Sequence, residues 1–209
     1  WDLWLGPAPW AEYRPARCHY TFRWFYDYSG GKMTDWGAHH NDIAQWGMGY
    51  DGSGPRSIEG SARFDTDSVY ETPVSFEVRY GYDNGVELTC TSEGRNGIHF
   101  HGSEGSVFVT RGAIEADPPE ILDTPPGSGA VRLYDSPNHH RDFANCVRSR
   151  RRPVCDVEIG HRSVTVCHLG NLAIRLGRRL AWDPEVERFR GDEEANRLIH
   201  KPMRQPWSL

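Results

Sequence analysis

The chain has five cysteines, Cys18, Cys90, Cys146, Cys155 and Cys167, an odd number with no CxxC spacing. That offers neither a thiolate zinc site nor a disulfide framework, so reduced and mostly buried thiols are expected. No apolar run approaches the roughly 20 residues of a membrane-spanning helix, and no signal peptide is visible. Positive charge is also short. The formal net charge is −5, so there is no basic field to hold nucleic acid. The one basic run, RSRRRP at 148–153, follows an expected helix, and its charges suit that helix's C-terminal dipole. No GxGxxG follows a strand, and P-loop and GxSxG signatures are missing. The chain therefore carries no dinucleotide fingerprint of its own.

What it does have is bulk for a core. Hydrophobic residues make up 37% and charged residues 25% of 209 positions, enough for one large domain or two small ones. Aromatics reach 12%, with eight Trp. Such rings fill cores and also line sugar and other small-molecule sites. The chain opens on WDLWLGPAPW without an initiator Met. It reads as the middle of a longer protein, with any export signal or further domain upstream. A cytoplasmic location is the default expectation.

Residues 1–29, rich in Pro and aromatics, read as an ordered arm, and residues 30–209 as one domain. After Gly30-Gly31, Thr34 is a plausible N-cap with Asp35 in the first helical turn. The helix should run to about Met48 and stop at Gly47 or Gly49. From Ser57 to Val109 the pattern alternates, broken by DNG, GRNG and GSEG turns. Val74, Phe76, Val78 and Tyr80 line one strand face, and YDNGVEL signals a hairpin. This predicts an antiparallel sheet with one face open. ADPPEILDTPPGSGA (116–130) reads as loop. A helix capped by Ser136 with Pro137 in its first position should follow, carrying Phe143, Cys146 and Val147. A longer helix starts after Asp156 and ends at Gly177. The tail predicts a short hairpin and a short helix capped by Asp192. The plan is α+β: a mostly antiparallel open-faced sheet with helices on one face.

The chemistry concentrates in GGKMTDWGAHHNDIAQWGMG (30–49). On a helix, Asp35, His39, Asp42 and Trp46 share one stripe, while His40 points towards Trp36 and Ile43. Three readings compete. A carboxylate beside an imidazole can move a proton near neutrality. Asp35, His39 and Asp42 could ligate a metal and support hydrolysis. Or Asp35 only starts a helix. Arg23 and Lys32 flank the stripe and suit an anionic or hydroxyl-rich ligand. His168, beside Asn171 in the long helix, reads as a half-buried His or a pocket wall. His139 and His140 read as surface. His99 and His101 share a strand face without a further ligand.

The segment 30–49 resembles the substrate-domain helix of the Gfo/Idh/MocA oxidoreductases, with Asp35, Gly37, His39 and Asp42 on the family's D-x-G-x-H pattern and its following Asp. WDLWLGPAPW and the stretch from HHRDFANC to EEANRLI resemble the bacterial branch. The resemblance implies the family's C-terminal domain alone, akin to the C-terminal domain of glyceraldehyde-3-phosphate dehydrogenase. It also implies a separate Rossmann domain that binds NAD or NADP and supplies a Glu-Lys-Pro lysine. Asp35 and His39 would then be catalytic towards a sugar or polyol, with Lys32, Asp42, His168 and Arg23 around the substrate. No cofactor or metal site is expected in this chain alone, which would be inactive by itself. The open sheet face would make a homo-oligomer, with neither nucleic acid nor membrane as partner. A non-catalytic binding or assembly module with the same fold is the other reading.

Overall fold

The computed structural model describes residues 1–123, 127 and 132–208. The chain forms two compact units, Trp1–Gly94 with Arg162–Leu209, and Arg95–His161.

The first unit is built on a five-stranded antiparallel sheet. Strands β1 (Ser57–Arg63), β2 (Ser75–Gly81) and β3 (Glu87–Thr91) lie beside β7 (Leu180–Asp183) and β8 (Arg188–Phe189). Their order is β3-β2-β1-β7-β8. Alternation decides the faces. Ile58, Phe76, Val78, Tyr80 and Leu180 are buried, while Glu59, Ser61, Arg63, Glu77, Arg79, Glu87, Thr89 and Thr91 are exposed. Val74, expected on the buried face, instead precedes β2 and is 43% exposed. The open face is polar, and the register sets Glu59 opposite Arg79, a favourable cross-strand pair. The hairpin at YDNGVEL forms with Gly85 at φ 83.

Helices α2 (Trp36–Met48) and α4 (Val157–Leu176) supply residues to the unit's chemistry and core. Val166, Cys167, Leu169, Leu172 and Ala173 of α4 join Met33, Ile58, Val78 and Tyr80 in one cluster. Each buried aliphatic side chain there contributes about 1.5–3 kcal/mol. The close approach of α4 needs Gly170, where a Cβ would lie 2.2 Å from Tyr80 Oη. Both helices end as their glycines dictate, with Gly49 at φ 75 and Gly177 at φ 63. Helix α5 (Glu193–Arg197) is capped by Asp192, whose side chain accepts from Ala195 N.

The arm contains α1 (Asp2–Leu5) and two 3-10 turns, with Leu5 and Phe25 buried. Its order comes from the other end of the chain. Arg204 donates to Ala8 O at 3.1 Å and Gly6 O at 2.9 Å, and pairs with Asp2 at 2.8 Å.

The second unit holds a separate three-stranded antiparallel sheet, β4 (Ile98–Gly102), β5 (Gly105–Thr110) and β6 (Ala113–Asp117). The alternating run therefore divides between two sheets. Strand β6 was not anticipated, and it takes Ala116 and Asp117 out of the expected loop; part of that loop lies outside the described residues. Helix α3 (His139–Ser149) is capped by Asn138, not Ser136, because the Asn138 side-chain oxygen accepts from Arg141 N at 2.9 Å. Cys146 is buried, whereas Phe143 and Val147 are exposed. Among the described residues no helix is long and apolar enough to cross a membrane.

Candidate functional site

The entry to α2 is a fixed turn. Gly31 has φ +68, and a Cβ there would lie 2.6 Å from the Thr72 side chain, so only glycine fits. Asn171, 2% exposed within α4, donates to Gly30 O at 3.0 Å and holds the turn against that helix. Met33 is buried next to it, which leaves the intervening Lys32 exposed.

Thr34 is not the helix cap. Its hydroxyl accepts from Gly30 N at 2.9 Å, inside the glycine turn. Asp35 occupies the N-cap position but makes no capping bond with its side chain. Its carboxylate instead accepts from Arg23 Nη1. Arg23 is itself fixed: Nε donates to Tyr20 O at 3.0 Å, and the guanidinium lies 3.9 Å from the Tyr20 ring centroid. Arg23 thus holds Asp35 through one nitrogen of its guanidinium.

The expected stripe divides into three tasks. Asp35 is half-buried and held by Arg23. His39 is exposed one turn on, with its ring 6.2 Å from that of Trp36. Asp42 is half-buried and accepts from Ser163 Oγ of α4. Asp42 therefore ties helix to helix, while His39 faces solvent. His40 turns to Trp36, 5.9 Å between ring centroids.

His168 lies on α4 and keeps solvent access. Crowding by protein atoms, and then the nearby Lys201 ammonium, hold its imidazole below the ordinary histidine range. Among the described residues no hydrogen bond, ion pair or ring contact joins it to His39.

Three supporting residues escaped sequence reasoning. Ser163 and Asn171 bond α2 and its glycine turn to α4, and Asn41, 2% exposed, donates to Cys167 Sγ at 3.4 Å. A buried polar residue on an apolar helix face was the signal that was there to use. The thiols beneath are inert: burial pushes Cys167 up to about 12 and Cys90 up to about 11. Of the five cysteines only Cys146 and Cys167 are buried, while Cys155 is exposed. Among the described residues no group of three His, Cys, Asp or Glu is placed to hold a metal ion.

Residues 1–209 match the model of an oxidoreductase family C-terminal alpha/beta domain. No functionally curated protein matches the chain. Solved structures share the fold. An aldose–aldose oxidoreductase from Caulobacter crescentus, complexed with glycerol, is 18% identical with a TM-score of 0.57, over 77% of this chain and 50% of that one. The WlbA dehydrogenase from Bordetella pertussis, in complex with NADH and UDP-GlcNAcA, is 16% identical at TM-score 0.56, over 81% and 51%. An NAD-binding protein from Listeria innocua is 16% identical at TM-score 0.56, over 77% and 54%. The chain spans about half the length of these structures.

Proposed function

The chain belongs to the Gfo/Idh/MocA oxidoreductase family, as its C-terminal α/β domain, and from that footing we propose that it is the substrate-binding half of an NAD(P)-dependent dehydrogenase of a sugar, polyol or sugar derivative. One observation carries the reading. An exposed imidazole, His39, stands one turn from a carboxylate, Asp35, that a guanidinium holds in place. The helix bearing both is pinned at its glycine turn and again at Asp42.

The chain's own part is proton handling. His39 takes the hydroxyl proton as the carbinol carbon becomes a carbonyl, and returns it in the reverse direction. Asp35, held in place by Arg23, orients the reacting hydroxyl and lies one turn from the imidazole that takes the proton. Lys32, exposed beside the glycine turn, reaches towards further substrate hydroxyls, and His168 is a pocket wall. Asp42 supports the site by holding α2 in register on α4.

A nicotinamide, when bound, supplies the hydride-accepting ring. The described strands of this chain pair antiparallel throughout, so the parallel strand–glycine turn–helix unit that cradles a pyrophosphate is not among them. In this reading a separate domain supplies the main dinucleotide site. Assembly into a homo-oligomer through the exposed polar sheet face of β1–β3 completes the proposal.

The test is substitution in the whole protein. His39→Ala lowers turnover of the physiological sugar by about 10²–10⁴-fold while NAD(P) affinity stays within twofold. Turnover that survives His39→Ala refutes the proton role, and leaves a binding or assembly module.

A further inference from the structure

Two cations share one aromatic ring. The Arg175 guanidinium lies 3.4 Å from the Tyr26 ring centroid, and the Lys201 ammonium 4.2 Å from it. The charges are therefore no further apart than those two distances laid end to end. Neither is neutralised by an ion pair among the described residues. Arg175 Nη2 donates to the backbone oxygen of Glu71 at 3.3 Å, and Lys201 Nζ to the backbone oxygen of Tyr26. The Glu71 carboxylate accepts from Tyr26 N at 3.0 Å, and its charge also reaches Lys201. Asp27 is the other acid whose field reaches Lys201. A third basic group joins them: His168 lies two turns before Arg175 on the same face of α4, within reach of the Lys201 charge. Arg175, Lys201 and His168 are all exposed.

Like charges gathered over one ring repel each other. The ring's negative face offsets part of that repulsion. A bound oxyanion would offset more, bridging a planar guanidinium fork and an ammonium. The cluster is also wired to the candidate site. Glu71 N donates to Trp24 O at 2.9 Å, next to Arg23, which holds Asp35. Asn171, between His168 and Arg175 in α4, holds the glycine turn.

We propose that Tyr26, His168, Arg175 and Lys201 form an oxyanion subsite that selects an acidic sugar, one bearing a carboxylate or a phosphate, over its neutral counterpart. The proposal rests on the sugar-oxidoreductase reading and narrows it to charged substrates. A neutral sugar would leave both cations unpaired, and that difference is the source of selectivity.

Calorimetry on the protein and on its Arg175→Gln and Lys201→Gln variants tests it, with D-glucuronate, D-glucose 6-phosphate, D-glucose and inorganic phosphate as probes. Circular dichroism checks that each variant is folded. One of the two acidic sugars should bind at least about tenfold more tightly than glucose, and each variant should lose about tenfold for that ligand alone. Which acid binds identifies carboxylate or phosphate as the group recognised. Inorganic phosphate that binds in an Arg175- and Lys201-dependent way, with no sugar bound, keeps the subsite and overturns the sugar reading. Equal affinity for glucose and both acids, anion binding unchanged in both variants, or no anion binding at all overturns the subsite.

Discussion

Arg23 donates through Nη1 to Asp35 Oδ2, so a 3-10 turn in the arm grips the residue that opens α2. The side chains are 19% and 30% exposed, which limits what the pair adds to stability. Its consequence is geometric: a carboxylate with no capping bond is kept at one place beside His39.

Replacing Arg23 should accordingly change catalysis more than folding. Arg23→Gln lowers kcat about tenfold, with KM for the cofactor unchanged, and costs about 1 kcal/mol or less of stability, as a partly exposed pair does. Arg23→Lys restores most of the rate because it returns the charge. Steady-state kinetics beside a denaturant melt separates the two effects. A loss of stability with unchanged kcat would make the pair merely structural.

The tie between Asp42 and Ser163 should behave in the opposite way. Removing the hydroxyl leaves a half-buried carboxylate without its donor, which typically costs about 1.5–3 kcal/mol. Ser163→Ala should show that cost in urea unfolding. A shift below about 0.5 kcal/mol would mean that the helices are held by apolar packing alone.

Helix α4 approaches the sheet where Gly170 faces Tyr80. Gly170→Ala pushes a methyl group against the buried hydroxyl, with an overpacking cost of about 1–3 kcal/mol. Tyr80→Phe clears the obstruction, so the double variant should recover part of the loss that Gly170→Ala causes alone. Additive effects in a double-mutant cycle would show that the two residues do not meet.

Stability should also follow the His168 proton. Its folded-state value lies below the ordinary 6.5 because crowding and Lys201 disfavour the charged ring. The unfolded chain therefore binds that proton more readily. The contribution is fully present above pH 6.5 and is lost as pH falls through the lower folded-state value. Denaturation midpoints from pH 5 to 8 should decline on the acid side, and His168→Gln should flatten the decline. An unchanged profile in the variant would assign the decline to other groups.

Much of the fold was legible because its signals are local. The glycines at 49 and 177 close their helices where the pattern stops, and the alternation of β2 marks Phe76, Val78 and Tyr80 as buried. Strand β6 was not legible, because four of its five residues are exposed and Ile114 is 57% exposed. A strand without a buried face leaves no alternation to read. The caps misled for a related reason. Thr34 and Ser136 are suitable cap types, but their neighbours Asp35 and Asn138 take the position. Residue type allows a cap, and only the backbone path selects one.

The sequence by itself determined the elements, the polar and apolar faces of the main sheet, and the stripe on which Asp35 and His39 sit. Those follow from periodicity along a few turns of chain. The tertiary structure decided which charges meet. Arg23 goes to Asp35, Asp42 to Ser163, and Arg175 and Lys201 both to the ring of Tyr26. These partners lie on separate elements, and spacing along the chain does not encode a distance across the fold. Packing of the arm, α2, α4 and the tail sets those distances, and so sends Asp35 and Asp42 of one predicted stripe to different partners while His39 faces solvent.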